Sequence, residues 1–137
     1  MAGPNEAVVR RFGDELWNKR NRAIIDELVA ENWFWHDVPG GMPGNRETLL
    51  AIAEHNHGAL ANTDYVIEQL VEDGDKVAFL WTLRGDHTGN FAGVPPSGKR
   101  LTLRGMSIDR IAGGKLTERW DVTDVYGAMQ QIGAIPQ

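Results

Sequence analysis

The spacing of apolar side chains changes once along this chain, dividing it into a helical first part and a stranded second part. Over residues 5 to 18, Val8, Val9, Phe12 and Leu16 recur at three- and four-residue intervals, predicting an amphipathic helix with Asn5 as its N-cap. Asn21 is placed to cap a short second helix in which Ile24, Ile25 and Leu28 face one way, and Trp33 to His36 reads as a brief extended segment. Two prolines and three glycines make Pro39-Gly-Gly-Met-Pro-Gly44 a loop. A third helix follows from Arg46 to Leu60, with Leu49, Ile52, Ala53, Asn56 and Leu60 in phase. After Asn62 the period becomes two, and residues 64 to 72, 76 to 87, 100 to 111 and 115 to 125 read as strands. Their short connections give an antiparallel meander. Gly105 marks either a bulge or a place where a neighbour approaches closely. Residues 126 to 132 form a last short helix before Gly133.

Helices first and strands later imply an α+β fold: a strongly curved antiparallel sheet covered by about three helices, closed at one end into a cone. The 137 residues form a single domain, 1–137, large enough to bury a core around one pocket. Charge narrows the partners. At a net charge of -5 with no block of Lys or Arg, neither nucleic acid nor an anionic membrane surface is expected. The absence of cysteine excludes disulfides and thiolate chemistry. Neither a secretory signal nor a membrane span is read from the sequence, so the expected location is cytoplasmic.

Three segments in order carry more than the rest. They are Asp86-His-Thr-Gly-Asn-Phe-Ala-Gly-Val-Pro-Pro-Ser-Gly-Lys99, Gly113-Gly-Lys-Leu-Thr-Glu-Arg-Trp-Asp-Val-Thr-Asp124, and Gln131-Ile-Gly133. Together they resemble the SnoaL-like polyketide cyclase branch of the NTF2-like superfamily, whose members read roughly H-x-G-x-F-x-G-x-P-P-S/T-G-K, G-K-I/L-x-E-x-W-x-x-x-D and Q-x-G. The resemblance implies the same cone and, at the end of W-x-x-x-D, an acid/base aspartate, here Asp124. It also implies a pocket histidine at His36 and at His87, expected as catalytic partners of Asp124 that orient a substrate carbonyl or exchange protons with it, although the Thr that often precedes the latter is replaced by Asp86.

Strand alternation assigns these residues to an inner and an outer face. On the last strand Leu116, Glu118, Trp120, Val122 and Asp124 share a face, which the apolar Trp120 and Val122 assign to the interior; Arg119, Asp121 and Thr123 then point outward. An interior Asp124 beside Trp120 would have its pKa raised by burial, as acid/base work near neutral pH requires. The competing reading makes Asp124 the N-cap of the last helix. On the second long strand Val77, Phe79, Trp81, Leu83 and His87 face inward together. Trp120, Trp81, Phe91, Phe34 and Met106 are the expected substrate-binding residues, and the Val94-Pro-Pro96 loop a rim.

The chemistry these residues suggest is cofactor-independent acid/base catalysis on a polyketide-like or polycyclic carbonyl substrate, with intramolecular aldol cyclisation the leading reading. Epoxide hydrolysis, dehydration and isomerisation stay open on the same cone, as does a non-catalytic binding or dimerising module. The side to which Arg104 points is also open. No metal is expected: residues two apart on a helix diverge by about 200°, so His55 and His57 cannot share an ion, and His57 is read as nearer the pocket than a solvent-facing His55. No cofactor is expected, because the phosphate-binding glycine patterns are missing. The expected partners are an apolar or aromatic small molecule and further copies of the chain, with Arg119, Asp121 and Thr123 supplying an outer polar contact.

Overall fold

The computed structural model describes residues 3–136. Helix α1 (Pro4–Gly13) passes into a π-helical turn, Asp14–Asn18, and a short α2 (Ile24–Leu28) leads directly into β1 (Val29–Trp35). Then come α3 (Arg46–Ala59), β2 (Leu60–Asp73), β3 (Lys76–His87), β4 (Arg100–Ala112), β5 (Lys115–Thr123) and α4 (Val125–Gln131). In the sheet the order is β1-β5-β4-β3-β2. Strands β2 to β5 form the antiparallel meander, whereas β1 adds to β5 in parallel, which makes the sheet mixed. This is the α+β cone, a curved open sheet with helices packed inside its bend. Among the described residues no helix is long and apolar enough to cross a membrane.

Local signals explain most boundaries. Pro4 starts α1, where its fixed φ suits a first helical position, so Asn5 lies inside the helix and donates to the Gly74 carbonyl at 3.1 Å instead of capping. Asn21 does not cap α2 either; its side chain donates to Glu15 at 3.1 Å, and the helix begins after Ala23. Asn45 is the N-cap of α3, accepting from the Thr48 N–H at 3.0 Å. Gln131 of the Gln-Ile-Gly segment clasps β4, accepting from Thr102 N–H at 2.7 Å and donating to its carbonyl at 2.9 Å. Phe12, Leu16, Ile24, Leu49, Leu101 and Leu116 are buried at the centre of the core.

The register of β4 against β5 changes partway along. Ala112 pairs with Lys115 and Ile111 with Leu116, but Arg110 pairs with Glu118 and Asp109 with Arg119, so Thr117 is an extra residue on β5. Continuing the first register would set Asp109 opposite Glu118, a like-charge pair. Inserting one residue replaces that repulsion with two opposite-charge pairs, Arg110 with Glu118 at 2.8 Å and Asp109 with Arg119 at 2.6 Å. Beyond the bulge every side chain of β5 lies on the face opposite to the one simple alternation assigns. Gly105 carries no bulge. It pairs with Trp81, and a Cβ there would lie 2.3 Å from the indole, so the glycine lets the ring cross β4.

His57, on α3, is buried and fixed in one neutral tautomer. Its Nε2–H donates to the Leu16 carbonyl at 2.9 Å, which leaves Nδ1 to accept from Arg22 at 3.0 Å. Burial lowers its pKa, the Leu16 bond opposes this, and Arg20 and Arg22 reinforce it. The stability His57 contributes is therefore complete above the unfolded histidine value of about 6.5 and is lost as pH falls below it. The urea midpoint of the wild type should fall more steeply from pH 8 to pH 5 than that of His57→Gln; parallel pH profiles would contradict this.

Candidate active site

A cavity of about 490 Å³ lies between the inner face of the sheet and helix α3. Trp17, Trp35, Tyr65, Phe79, Trp81 and Phe91 are its aromatic walls, and Ser107, Arg119 and Asp121 bring polar groups to its sheet side. A second hollow of about 570 Å³ is a groove between α2 and α3 bordered by Arg22, Asp26, Glu31, Arg46 and Glu47. It lacks an aromatic wall, and its Arg46 is already paired with Asp26 at 2.7 Å.

The bulge in β5 supplies the polar groups. It turns Arg119, Asp121 and Thr123 inward, against the expected outward orientation, and turns Trp120 and Val122 outward. Arg119 is buried and holds the fully buried Asp109 in a fork, with Nε and Nη2 donating at 2.6 and 2.9 Å. Burial works against the Arg119 charge, but the Asp109 carboxylate and its hydrogen bonds outweigh it and raise the pKa. Asp121 lies opposite Ser107 across the strands. Burial raises its pKa above the usual carboxylate value; the Arg119 charge and the Ser107 hydrogen bond oppose the rise.

Hydrogen-bond direction fixes the roles along this edge. An indole N–H only donates, so Trp81 Nε1 gives its proton to Ser107 Oγ at 3.0 Å. Ser107 then donates its own to Asp121 Oδ2 at 3.1 Å. Oδ2 is thereby engaged as an acceptor, whereas among the described residues Oδ1 has only a long 3.5 Å contact from Thr123.

The three expected catalytic residues lie elsewhere. Asp124 is exposed and is the N-cap of α4, its Oδ1 accepting from the Gly127 N–H at 2.8 Å; the bulge removes it from the inward set. His87 does face inward, but it is fully buried and does not line the cavity; it organises the β3–β4 loop instead. Its Nδ1 accepts from the Ser97 N–H at 3.1 Å and its Nε2–H points to the Val94 carbonyl at 3.3 Å. His36 is on the outer face of the sheet, stacked 4.7 Å from Trp120 and 2.6 Å from Glu118.

Of the expected substrate-binding residues, Trp81 and Phe91 line the cavity. Trp120, Phe34 and Met106 belong to the outer face, the last two 51% and 59% exposed. Arg104 is also outside, 3.3 Å from Glu68. At the cavity mouth the Phe91–Val94 turn is pinned by His55, whose Nε2 accepts from the Ala92 N–H at 3.1 Å. His55, not His57, is thus the histidine at the pocket. Among the described residues no group of three His, Cys, Asp or Glu side chains converges as metal ligands would.

Residues 7–132 match the family model described as SnoaL-like polyketide cyclase. The chain belongs to the SnoaL-like polyketide cyclase family. Curated relatives include the aklanonic acid methyl ester cyclase DnrD of Streptomyces peucetius, 34% identical over 45% of this chain and 43% of that protein. Another is the nogalonic acid methyl ester cyclase of Streptomyces nogalater, 31% identical over 47% of this chain and 48% of that protein. The matched region spans less than half of each curated relative. Similar solved structures include TsrD from Streptomyces laurentii, 23% identical with a TM-score of 0.82 over 94% of this chain and 97% of that one. A SnoaL-like polyketide cyclase from Agrobacterium tumefaciens, 18% identical with a TM-score of 0.76, is covered over its full length by 97% of this chain. Both share the cone fold with this SnoaL-like chain.

Proposed function

We propose that this SnoaL-like protein closes a ring on an apolar, polyketide-type carbonyl substrate by cofactor-independent acid/base catalysis, with Asp121 exchanging the proton. The observation that carries this reading is a carboxyl of raised pKa on the polar side of an aromatic-walled cavity, with one oxygen anchored and the other available. Asp121 Oδ1 as carboxylate removes a proton from a carbon between two carbonyls, and the C–H electron pair moves into an enolate. The enolate carbon attacks a second carbonyl in the same chain. That carbonyl oxygen then takes the proton back from Asp121, so a C–C bond forms without net gain or loss of atoms. Conjugation in the substrate makes the carbon acidic, which leaves the protein to position the chain and transfer one proton. The names of the curated methyl ester cyclases support this class of substrate.

A second reading, epoxide opening, is favoured by the Asp109–Arg119 pair lying beside Asp121, because two acids and a cation can jointly activate a water. Uptake of ¹⁸O from labelled water accompanies epoxide hydrolysis and not aldol closure. For either reaction Asp121→Asn should keep the fold and lose about 10²-fold or more in kcat. Asp124→Ala should cost about 1 kcal/mol of stability through the lost cap and leave kcat unchanged. The reverse pattern, an active Asp121→Asn with an inactive Asp124→Ala, would return the acid/base role to Asp124.

We place the expected self-association on the outer sheet face, not on Arg119, Asp121 and Thr123, which point inward. There Phe34, Met106, Ile108 and Val122, the last 76% exposed, form an apolar strip across β1, β5 and β4. The Arg104–Glu68 and Arg110–Glu118 pairs border it with both signs of charge, so a second copy turned by a two-fold axis meets its opposite. Light scattering should report a homodimer for the wild type and a monomer for the Met106→Lys, Val122→Lys double variant. An unchanged mass would move the contact to another surface.

A further inference from the structure

Tyr65, which the acid/base reading leaves without a task, is the strongest unused group in the cavity. It sits on β2 opposite Leu83, among the inward residues, and stacks at 6.1 Å on Trp81. Asn18, in the π-helical turn, accepts from the Tyr65 N–H at 2.7 Å and donates to its carbonyl at 3.1 Å. Gly13 makes room for the ring: a Cβ there would lie 2.5 Å from it.

The phenol itself has been left free. Among the described residues its hydroxyl has no hydrogen-bond partner, although Arg119, Asp109 and Asp121 are near enough to act on it electrostatically. Burial raises its pKa, Arg119 opposes this, and the two aspartates add to the rise, so it remains a neutral donor. The Arg119 guanidinium lies over the Phe12 and Phe79 rings at 5.6 and 5.9 Å; its Nε and Nη2 are committed to Asp109, and among the described residues Nη1 has no hydrogen-bond partner. A donor inside an apolar cavity without an acceptor is costly unless a ligand supplies one.

We propose that Tyr65 Oη–H and Arg119 Nη1–H form a two-donor site for the substrate oxygen on which negative charge develops, with Arg119 two residues from the acid/base Asp121 on the same face of β5. This deepens the acid/base reading and rests on it for the identity of the oxygen, a ketone that becomes an enolate. Two fixed donors in a water-poor site stabilise that charge without reorganisation. Arg119 keeps its own charge because Asp109 balances it, so the pair neutralises nothing in the resting site and gains most when the enolate forms.

Tyr65→Phe is the test, since removing an unpartnered hydroxyl leaves no orphan behind and the urea midpoint should hold or rise. The probes are 2-naphthol, whose oxygen resembles a conjugated enol, and 2-methylnaphthalene, which has the same rings without an oxygen acceptor. The wild type should prefer 2-naphthol by about tenfold or more, and Tyr65→Phe should remove most of that preference while binding the methyl compound unchanged. In turnover, kcat should fall about tenfold or more with KM little altered. A Tyr65→Phe variant with wild-type preference and kcat would overturn the donor site. Should Asp121→Asn retain full turnover while Tyr65→Phe still loses the naphthol preference, the donor site stands and only the role of Asp121 fails.

Discussion

A single extra residue in β5 determines what lies inside the cone. Thr117 shifts the pairing with β4 so that Asp109 meets Arg119 and Arg110 meets Glu118, where the unshifted register would set Asp109 against Glu118. The charge pattern thus selects the bulge, and the bulge assigns the faces. Inside go Arg119, Asp121 and Thr123; outside go Glu118, Trp120 and Val122. The cavity's chemistry, the apolar outer strip and the role of Asp124 as a helix cap all follow from that shift.

Once inside, the charges impose their own order. A lone guanidinium in an aromatic cavity would be costly, and the fork from Arg119 to Asp109 makes it tolerable. The pair is close to neutral as a unit, which leaves Asp121 as the cavity's titratable acid. Gly105 has a part in this arrangement because the missing side chain admits the Trp81 ring, and that ring's N–H orients Ser107 toward Asp121. A glycine that could be read as a sheet irregularity thus serves to aim a carboxyl.

Much of the fold was legible in the sequence. The change from helical to strand periodicity read after Asn62, two residues past the start of β2, and the inward set Val77, Phe79, Trp81, Leu83 and His87 rest on side-chain spacing that the structure keeps, and the prolines and glycines of residues 39 to 44 mark a connection that holds only a short 3-10 turn, Pro39–Gly41. The site was less legible, because the second half of β5 is apolar on the face that turns outward and polar on the face that turns inward. Trp120 and Val122 mark an outer face that is itself hydrophobic, so apolarity did not identify the interior. A signal was present in Asp109 and Arg110 read against Glu118 and Arg119 across the Gly113-Gly114 hairpin, and finding it required comparing two registers. The parallel addition of β1 rests on a contact distant in sequence, which no local pattern announces. Tyr65 and Asn18 are similarly remote, 47 residues apart yet bonded backbone to side chain.

The central claim is that the bulge carries Asp121 into the cavity and holds it there as a carboxyl of raised pKa. A pH titration of the Asp121 side-chain carbon, followed by ¹³C NMR, tests it most directly. The midpoint should lie above the usual aspartate value of about 3.9, because burial raises it. A midpoint at or below that value would contradict it.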